Sequence, residues 1–430
     1  MRGDRGMAAG AGGAGSVLIA LGGLRPGPGL VCVYAGVALL VLGWWWYRRA
    51  PHPRPWATLG LWAAPLLAAP PMFSRDVYSY LAQGLMIQDG LDVYRDGPAV
   101  LGGPVAAQVP VIWQHTPSPY GPVSLLASRA VTTVTGSDLA AGIVGMRLVA
   151  VCGLLLLAAA VPVLARGRGS DAFWLVVLNP LVLIHLVGGA HNDALMVGLL
   201  AAGLALAVRR RPVLGAALVA AAALVKAPAA LGLAAVAAIW AAQLGGRWAG
   251  LHATLATGAV AAATTVAVTT ITGTGYGWIG ALGTPISSGN WSLTGLLGHW
   301  TAGSFGASLS VDLWRWAGML ATLVVAGLVW AYRHRLGPLA GLGIVLIALV
   351  AFGPAVRPWY AIWGLVPLGA ALPAARRWLA VPSAALTLVV LPDGFAASLP
   401  DVVLAVTGVL LGVSLFTLAA TPMTLRRVYR

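Results

Sequence analysis

Asp76 stands where an apolar run ending Pro70-Pro71-Met72-Phe73 gives way to Ser74-Arg75-Asp76-Val77-Tyr78-Ser79-Tyr80, the start of the most polar and aromatic stretch of the chain. A carboxylate just past an apolar segment sits at the boundary of water and lipid. There it stays ionised and can meet both a lipid-borne substrate and a hydroxyl arriving from water, which suits a general base. Four of the eleven acids, Asp76, Asp89, Asp92 and Asp96, fall here, and His115-Thr116-Pro117-Ser118-Pro119-Tyr120-Gly121-Pro122 closes the stretch. The simpler reading is that Ser74 or Asp76 caps a short helix over 77–86, lying amphipathically on the membrane surface with Tyr80 and Gly84 on one face. That reading explains a helix and leaves the gathering of Asp, Tyr and His unexplained.

Three further clusters carry usable chemistry. His191-Asn192-Asp193 marks a short turn between apolar runs, where the plain alternative is an N-cap. Lys226, the only lysine of the chain, precedes Ala227-Pro228, and alone it reads as a side chain snorkelling to the interface. Arg357-Pro358-Trp359-Tyr360 alone reads as an interfacial anchor. Taken together they supply two cations suited to a phosphate and carboxylates suited to activating a hydroxyl. The stretch 272–311, rich in Gly, Ser, Thr, Trp and Asn, adds donors and flat aromatic faces of the kind that hold sugars.

The elements that position these residues are membrane helices. Of 430 residues, 59% are apolar and 9% charged, and apolar runs of 17 or more recur, which excludes a soluble domain. The expectation is an all-α polytopic membrane protein of about 12–14 transmembrane helices, with an amphipathic extracytoplasmic first loop at 74–137 and a second at 273–312. A net charge of +15 would point to nucleic acid in a soluble protein; here the charges follow topology and no nucleic-acid partner is expected. Eighteen of the 26 basic residues fall on one side of the expected spans, the cytoplasmic side by the positive-inside rule. Asp76, His191, Asp193, Lys226 and Arg357 are then extracytoplasmic. The run 212–243 is read as two helices joined near Lys226-Ala227-Pro228, because a single one would carry 271–311, which lacks any basic residue, to the cytoplasm. The apolar run ending at Leu24 is expected to be a retained span and not a cleaved signal. Cys32 and Cys152 lie in apolar runs and read as packing residues, with no disulfide, metal site or cofactor implied.

From about residue 56 to 420 the chain resembles a known family. Ser74–Gly84 (SRDVYSYLAQG), Gly90-Leu91-Asp92-Val93-Tyr94, the HTPSPYGP ending at Pro122, the HND at His191, Lys226-Ala227-Pro228 and the RPWY at Arg357 are similar to segments of the actinobacterial polyprenol-phosphate-mannose-dependent α-1,6-mannosyltransferases. The HND and the lone lysine are shared by several families of the GT-C fold. The resemblance implies a single integral-membrane GT-C domain over 1–430, with Asp76 as the base. It further implies substrate contacts from Arg75, Tyr78, Tyr80, His115, Tyr120, His191, Asn192, Asp193, Lys226, Arg357, Trp359 and Tyr360. The implied partners are a polyprenyl phosphomannose donor, a lipid-anchored mannan acceptor of the lipomannan and lipoarabinomannan core, and membrane lipids. The implied location is the cell membrane, with the site extracytoplasmic and no metal or cofactor. Two departures stand out: the chain is shorter than the family pattern, with little polar sequence at either end, and Val93 stands where the Asp-Pro-Tyr pattern has proline. The rival class is a secondary transporter or flippase for a lipid-linked sugar, in which Lys226 beside Pro228 marks a broken helix. A non-catalytic scaffold gives no reason for ionisable residues at membrane depth.

Overall fold

The computed structural model describes residues 2–49, 54–283, 292–372, 375–389 and 398–428, and among these there are helices and connecting turns but no strand. Part of the expected second loop, 284–291, lies outside the described residues, as does the end of the apolar run 378–396, which reads from sequence as a span.

Among the described residues eight helices are long and apolar enough to cross a membrane: Gly6–Gly23, Gly29–Tyr47, Leu139–Leu164, Ala227–Leu244, Ala249–Thr272, Ser308–Ala331, Arg333–Phe352 and Leu399–Thr421. The pair Gly169–Val177 and Pro180–Gly188, bent by 46°, makes a ninth if it counts as one span. The protein is therefore an all-helical, polytopic membrane protein; among the described residues eight or nine helices meet that length, where about 12–14 spans are expected. Helices at Pro55–Ala68, Asp193–Val208, Pro212–Ala223, Ala361–Ala371 and Arg376–Leu388 stand where further spans were expected. At about 1.5 Å per residue they reach roughly 16–24 Å, short of the ~30 Å of hydrocarbon. The break expected in 212–243 is present: one helix ends at Ala223, Lys226 is extended (φ −153°, ψ 123°), and a new helix runs from Leu231 to Leu244.

Packing divides the chain into two compact units. The first comprises Met1–Arg75, Arg168–His191 and Pro373–Arg430. Here the indoles of Trp44 and Trp174 stack at 4.8 Å, and each donates its N–H to the other's backbone carbonyl at 2.7 Å. Two large side chains are thus buried with both donors satisfied, tying the Gly29–Tyr47 helix to the bent pair. Asn179 makes the bend tolerable: its Oδ1 accepts from Leu181 N at 3.0 Å and its Nδ2 donates to Leu175 O at 2.9 Å. Backbone groups freed by a break at membrane depth need such partners.

The second unit comprises Asp76–Gly167 and Asn192–Leu372. Its Leu139–Leu164 and Asp193–Val208 helices meet backbone to backbone. A Cβ on Gly153 would lie 2.3 Å from the Ala194 carbonyl, and one on Gly198 2.2 Å from the Gly153 carbonyl oxygen. Small residues permit this approach, and it fixes the chain one residue from Asp193. The first-loop helix forms as Asp76–Gln88, and much of it is packed inside the second unit. Val77, Tyr80, Leu81, Ala82, Gln83, Gly84 and Met86 are all buried, because the Pro122–Thr135 helix packs on it. Cys32 and Cys152 are exposed on their apolar helices, so they face outward and are not the packing residues expected.

Candidate active site

Two carboxylates open helices in the second unit: Asp76 begins Asp76–Gln88 and Asp193 begins Asp193–Val208. The chain enters each through a strained corner, Phe73 with φ 67° and Ala190 with φ 51°. A non-glycine residue in the left-handed region costs about 1–3 kcal/mol and persists where the surroundings over-determine it.

Asp193 is fully buried. Its Oδ2 accepts from Lys226 Nζ at 2.9 Å, and its Oδ1 accepts from Lys226 Nζ at 3.2 Å and from Trp363 Nε1 at 2.6 Å. Its place at a helix N-terminus adds to the stability of the charge. Lys226 keeps 14% of its side chain exposed. Its ammonium lies over aromatic faces, 4.5 Å from the Tyr360 ring centre, 5.2 Å from Trp363 and 5.9 Å from Tyr120. Tyr360 and Trp363 are themselves stacked at 4.3 Å. Burial pulls the lysine's pKa down, but Asp193 above all, with Tyr360 and Asp76, outweighs it and holds the pKa above its ordinary value. Lys226 is a cation here.

Tyr80 donates to Asn192 Oδ1 at 3.3 Å, and Asn192 Nδ2 donates to Ser124 Oγ at 3.0 Å. The rings of Tyr80 and Tyr120 meet edge to face at 5.3 Å. Burial first, then the negative charge of neighbours including Asp76 and Asp193, pushes both phenols well above their usual range, so both remain neutral. The half-buried Asp76 acts electrostatically on Tyr80, Tyr120, Lys226 and Tyr360 alike, which places its carboxylate in their neighbourhood.

Tyr120 is held from several directions. Ser118 Oγ donates to Gln83 Oε1 at 3.1 Å, Ser118 N donates to Val93 O at 2.8 Å, and Tyr94 donates its hydroxyl to Tyr120 O at 3.0 Å. The missing proline at 93 is replaced in effect by Asp92, whose Oδ1 accepts from Tyr94 N at 2.9 Å in an Asx turn. Val93 instead packs with Met86 and Leu125. Gly121 rests on the Leu224 carbonyl, two residues before Lys226; a Cβ there would lie 2.3 Å from that oxygen. Gly121→Ala must therefore push Tyr120 away from Lys226 and is expected to destabilise the fold by about 1–3 kcal/mol, as overpacking does. Thermal unfolding in detergent checks this; an unchanged midpoint would show that the contact yields without cost.

Of the residues singled out from sequence, the second unit brings together Asp76, Tyr80, Tyr120, Asn192, Asp193, Lys226 and Tyr360, with Trp359 edge-on to Tyr360 at 5.9 Å and Arg357 acting electrostatically on Tyr360. Tyr78 lies within electrostatic reach of Arg147, a buried arginine inside Leu139–Leu164. His115 is exposed, and its backbone abuts Gly97. Arg75 and His191 belong to the first unit, where the His191 ring lies 5.8 Å from that of His185, which meets Phe73 edge-on at 6.1 Å. Sequence reasoning missed Trp363, Ser124, Gln83 and Arg147. A signal existed for two of them: Trp363 stands three residues after Tyr360, on one helical face, and Arg147 is a lone charge in an apolar run. Among the described residues no three His, Cys or Asp side chains gather where they could hold a metal ion. What the site offers is a half-buried carboxylate, a charged lysine paired with a buried carboxylate, two neutral phenols and aromatic faces.

Residues 26–242 match the family model described as Alpha-(1->6)-mannopyranosyltransferase, N-terminal domain, and residues 287–419 match the MptB C-terminal domain. The chain is 37% identical over 403 residues to Alpha-(1->6)-mannopyranosyltransferase A of Mycobacterium tuberculosis, a match covering 86% of this chain and 78% of the relative. A second alpha-(1->6)-mannopyranosyltransferase of that organism is 36% identical over 381 residues, 72% of this chain and 64% of the relative. Alpha-(1->6)-mannopyranosyltransferase B of Corynebacterium glutamicum is 33% identical over 401 residues, 84% of this chain and 66% of the relative. No solved structure matches.

Proposed function

Because the chain belongs to the α-(1→6)-mannopyranosyltransferase family, we propose that it moves mannose from polyprenyl phosphomannose to the 6-hydroxyl of a lipid-anchored α-1,6-mannan on the extracytoplasmic side of the cell membrane. The observation that carries this is the convergence of Asp76 with Lys226 and three tyrosines. Asp76 takes the proton of the acceptor hydroxyl as its oxygen attacks C1. The bond from C1 to the phosphate oxygen breaks, and the polyprenyl phosphate leaves with the electron pair, its charge met by Lys226 and Arg357. Attack opposite the leaving group inverts C1, so a β-linked donor gives an α-linked product. A positioned base supplies roughly 10²–10⁴-fold in rate, and cations on the leaving group add electrostatic stabilisation. A transporter would also call for the chain break at Lys226; similarity to transferases over most of the chain favours the enzyme.

The deciding assay uses purified protein, radiolabelled polyprenyl phosphomannose and a short α-1,6-mannoside. Label should appear in the acceptor in an α linkage; label that stays entirely in the donor would overturn the proposal. Orientation is tested separately, in a variant with Cys32 and Cys152 replaced by serine. Arg95→Cys, exposed in the first loop, should react with an impermeant thiol reagent in intact cells, and Arg335→Cys, exposed among the basic residues, should not. The reverse pattern would invert the topology.

A further inference from the structure

Trp363 is nearly buried, 5% exposed, and its one polar atom is spent on Asp193 at 2.6 Å. Asp193 has no exposed surface, so it touches no substrate itself. Its carboxylate is fixed by the indole N–H on one oxygen and by Lys226 on both. An ammonium has three donors. With two directed at Asp193, one remains, and the part of Lys226 left exposed sits among the faces of Tyr360, Trp363 and Tyr120. A charge held by a directed pair and a ring stack has one orientation, whereas a lysine on its own flexible stem samples many.

We propose that Trp363 is a positioning residue for the transfer: its indole N–H orients the buried Asp193 carboxylate, which orients the Lys226 ammonium so that its remaining N–H meets an oxygen of the donor's phosphate. This rests on the reading of the site as a phosphate-linked sugar transferase. Trp363 makes two contacts on the cluster, a hydrogen bond through its edge and a stack through its face, and a substitution can separate them. Trp363→Phe keeps the face toward Tyr360 and Lys226 and loses only the donor.

Lys226 is the single lysine of the chain, so an amine-reactive reagent reads it directly. Acetylation by acetic anhydride across a pH series, followed by mass spectrometry of the Lys226 peptide, gives its titration whether or not the protein is active. The groups acting on Lys226 are Asp193, Asp76 and Tyr360, with the Tyr120 ring also against it. In the wild type, labelling should set in above the range of a free lysine. Trp363→Phe should move that onset to lower pH and lower kcat about tenfold, with a smaller change in donor KM, since the bond to the phosphate strengthens as charge develops. Asp193→Asn, which keeps the size, should move the onset further down. Adding Trp363→Phe to Asp193→Asn should then change neither readout, because the indole acts through the carboxylate.

Wild-type labelling and kcat in Trp363→Phe would overturn the proposal, and so would a Trp363→Phe loss that persists undiminished beside Asp193→Asn, which would mean the ring acts by packing. A wild-type enzyme that transfers no mannose from this donor would instead overturn the reading of the reaction. The labelling series would still decide the chain from Trp363 through Asp193 to Lys226. Should Trp363→Phe fail to fold, the onset in Asp193→Asn decides the second half of that chain, and an onset equal to wild type overturns it.

Discussion

Asp76→Asn is expected to lower the initial rate of mannose transfer by roughly 10²–10⁴-fold, the range of a lost general base. Asparagine keeps the size and most of the hydrogen bonding but cannot take the acceptor's proton. Donor affinity should barely change, since in the proposed reaction the phosphate is assigned to Lys226 and Arg357 and not to Asp76. The competing account, in which Asp76 only opens the Asp76–Gln88 helix, makes the opposite statement. Asparagine is as good a cap, so the rate would hold. Asp89→Asn and Asp92→Asn, both at exposed positions, should cost little; in the second, the amide oxygen of the new side chain can still accept from Tyr94 N and keep the turn. The measurement is initial rate at saturating donor and acceptor, with donor binding on the same preparation. A rate near wild type would return Asp76 to a structural role.

Lys226→Met is expected to destabilise the fold by about 3–5 kcal/mol, because it leaves a fully buried carboxylate with the single donor of Trp363. Replacing both partners, Lys226→Met with Asp193→Leu, should restore most of that stability, since a buried ion pair exchanged for apolar side chains is often neutral or better. Transfer should not return with it. That split between recovered unfolding midpoint and absent activity separates a pair kept for function from one kept for stability. A double variant with wild-type kcat would remove the pair from the site, and an unchanged midpoint in Lys226→Met would show that the pair contributes nothing to the fold. The pair also sets a pH dependence. Since the folded lysine's pKa is raised, its contribution is complete below the ~10.4 of an unfolded lysine and is lost only as pH rises through the higher folded value. Stability should therefore fall on the alkaline side in the wild type, and this part of the fall should be missing in the double variant.

The membrane class was legible in composition alone, because a chain 59% apolar and 9% charged cannot surround itself with water. The helix beginning at Asp76 and the break after Lys226 were legible too, since capping residues and Pro228 act within a turn of where they stand. The same local rules place helices without deciding which of them cross: five of the expected spans are helices of 11 to 16 residues. They did not show that the Asp76–Gln88 helix packs against the Pro122–Thr135 helix. The sequence grouped Asp193 and Lys226 on one side of the membrane as substrate contacts, but it did not pair them and it passed over Trp363. Only the tertiary structure joined them, across 33 and 170 residues. Such a joining depends on how closely helices approach, through backbone contacts such as Gly153 with Gly198 and Gly121 with Leu224. Those approaches leave no period in the sequence, since what decides them is the shape of the surface each helix meets.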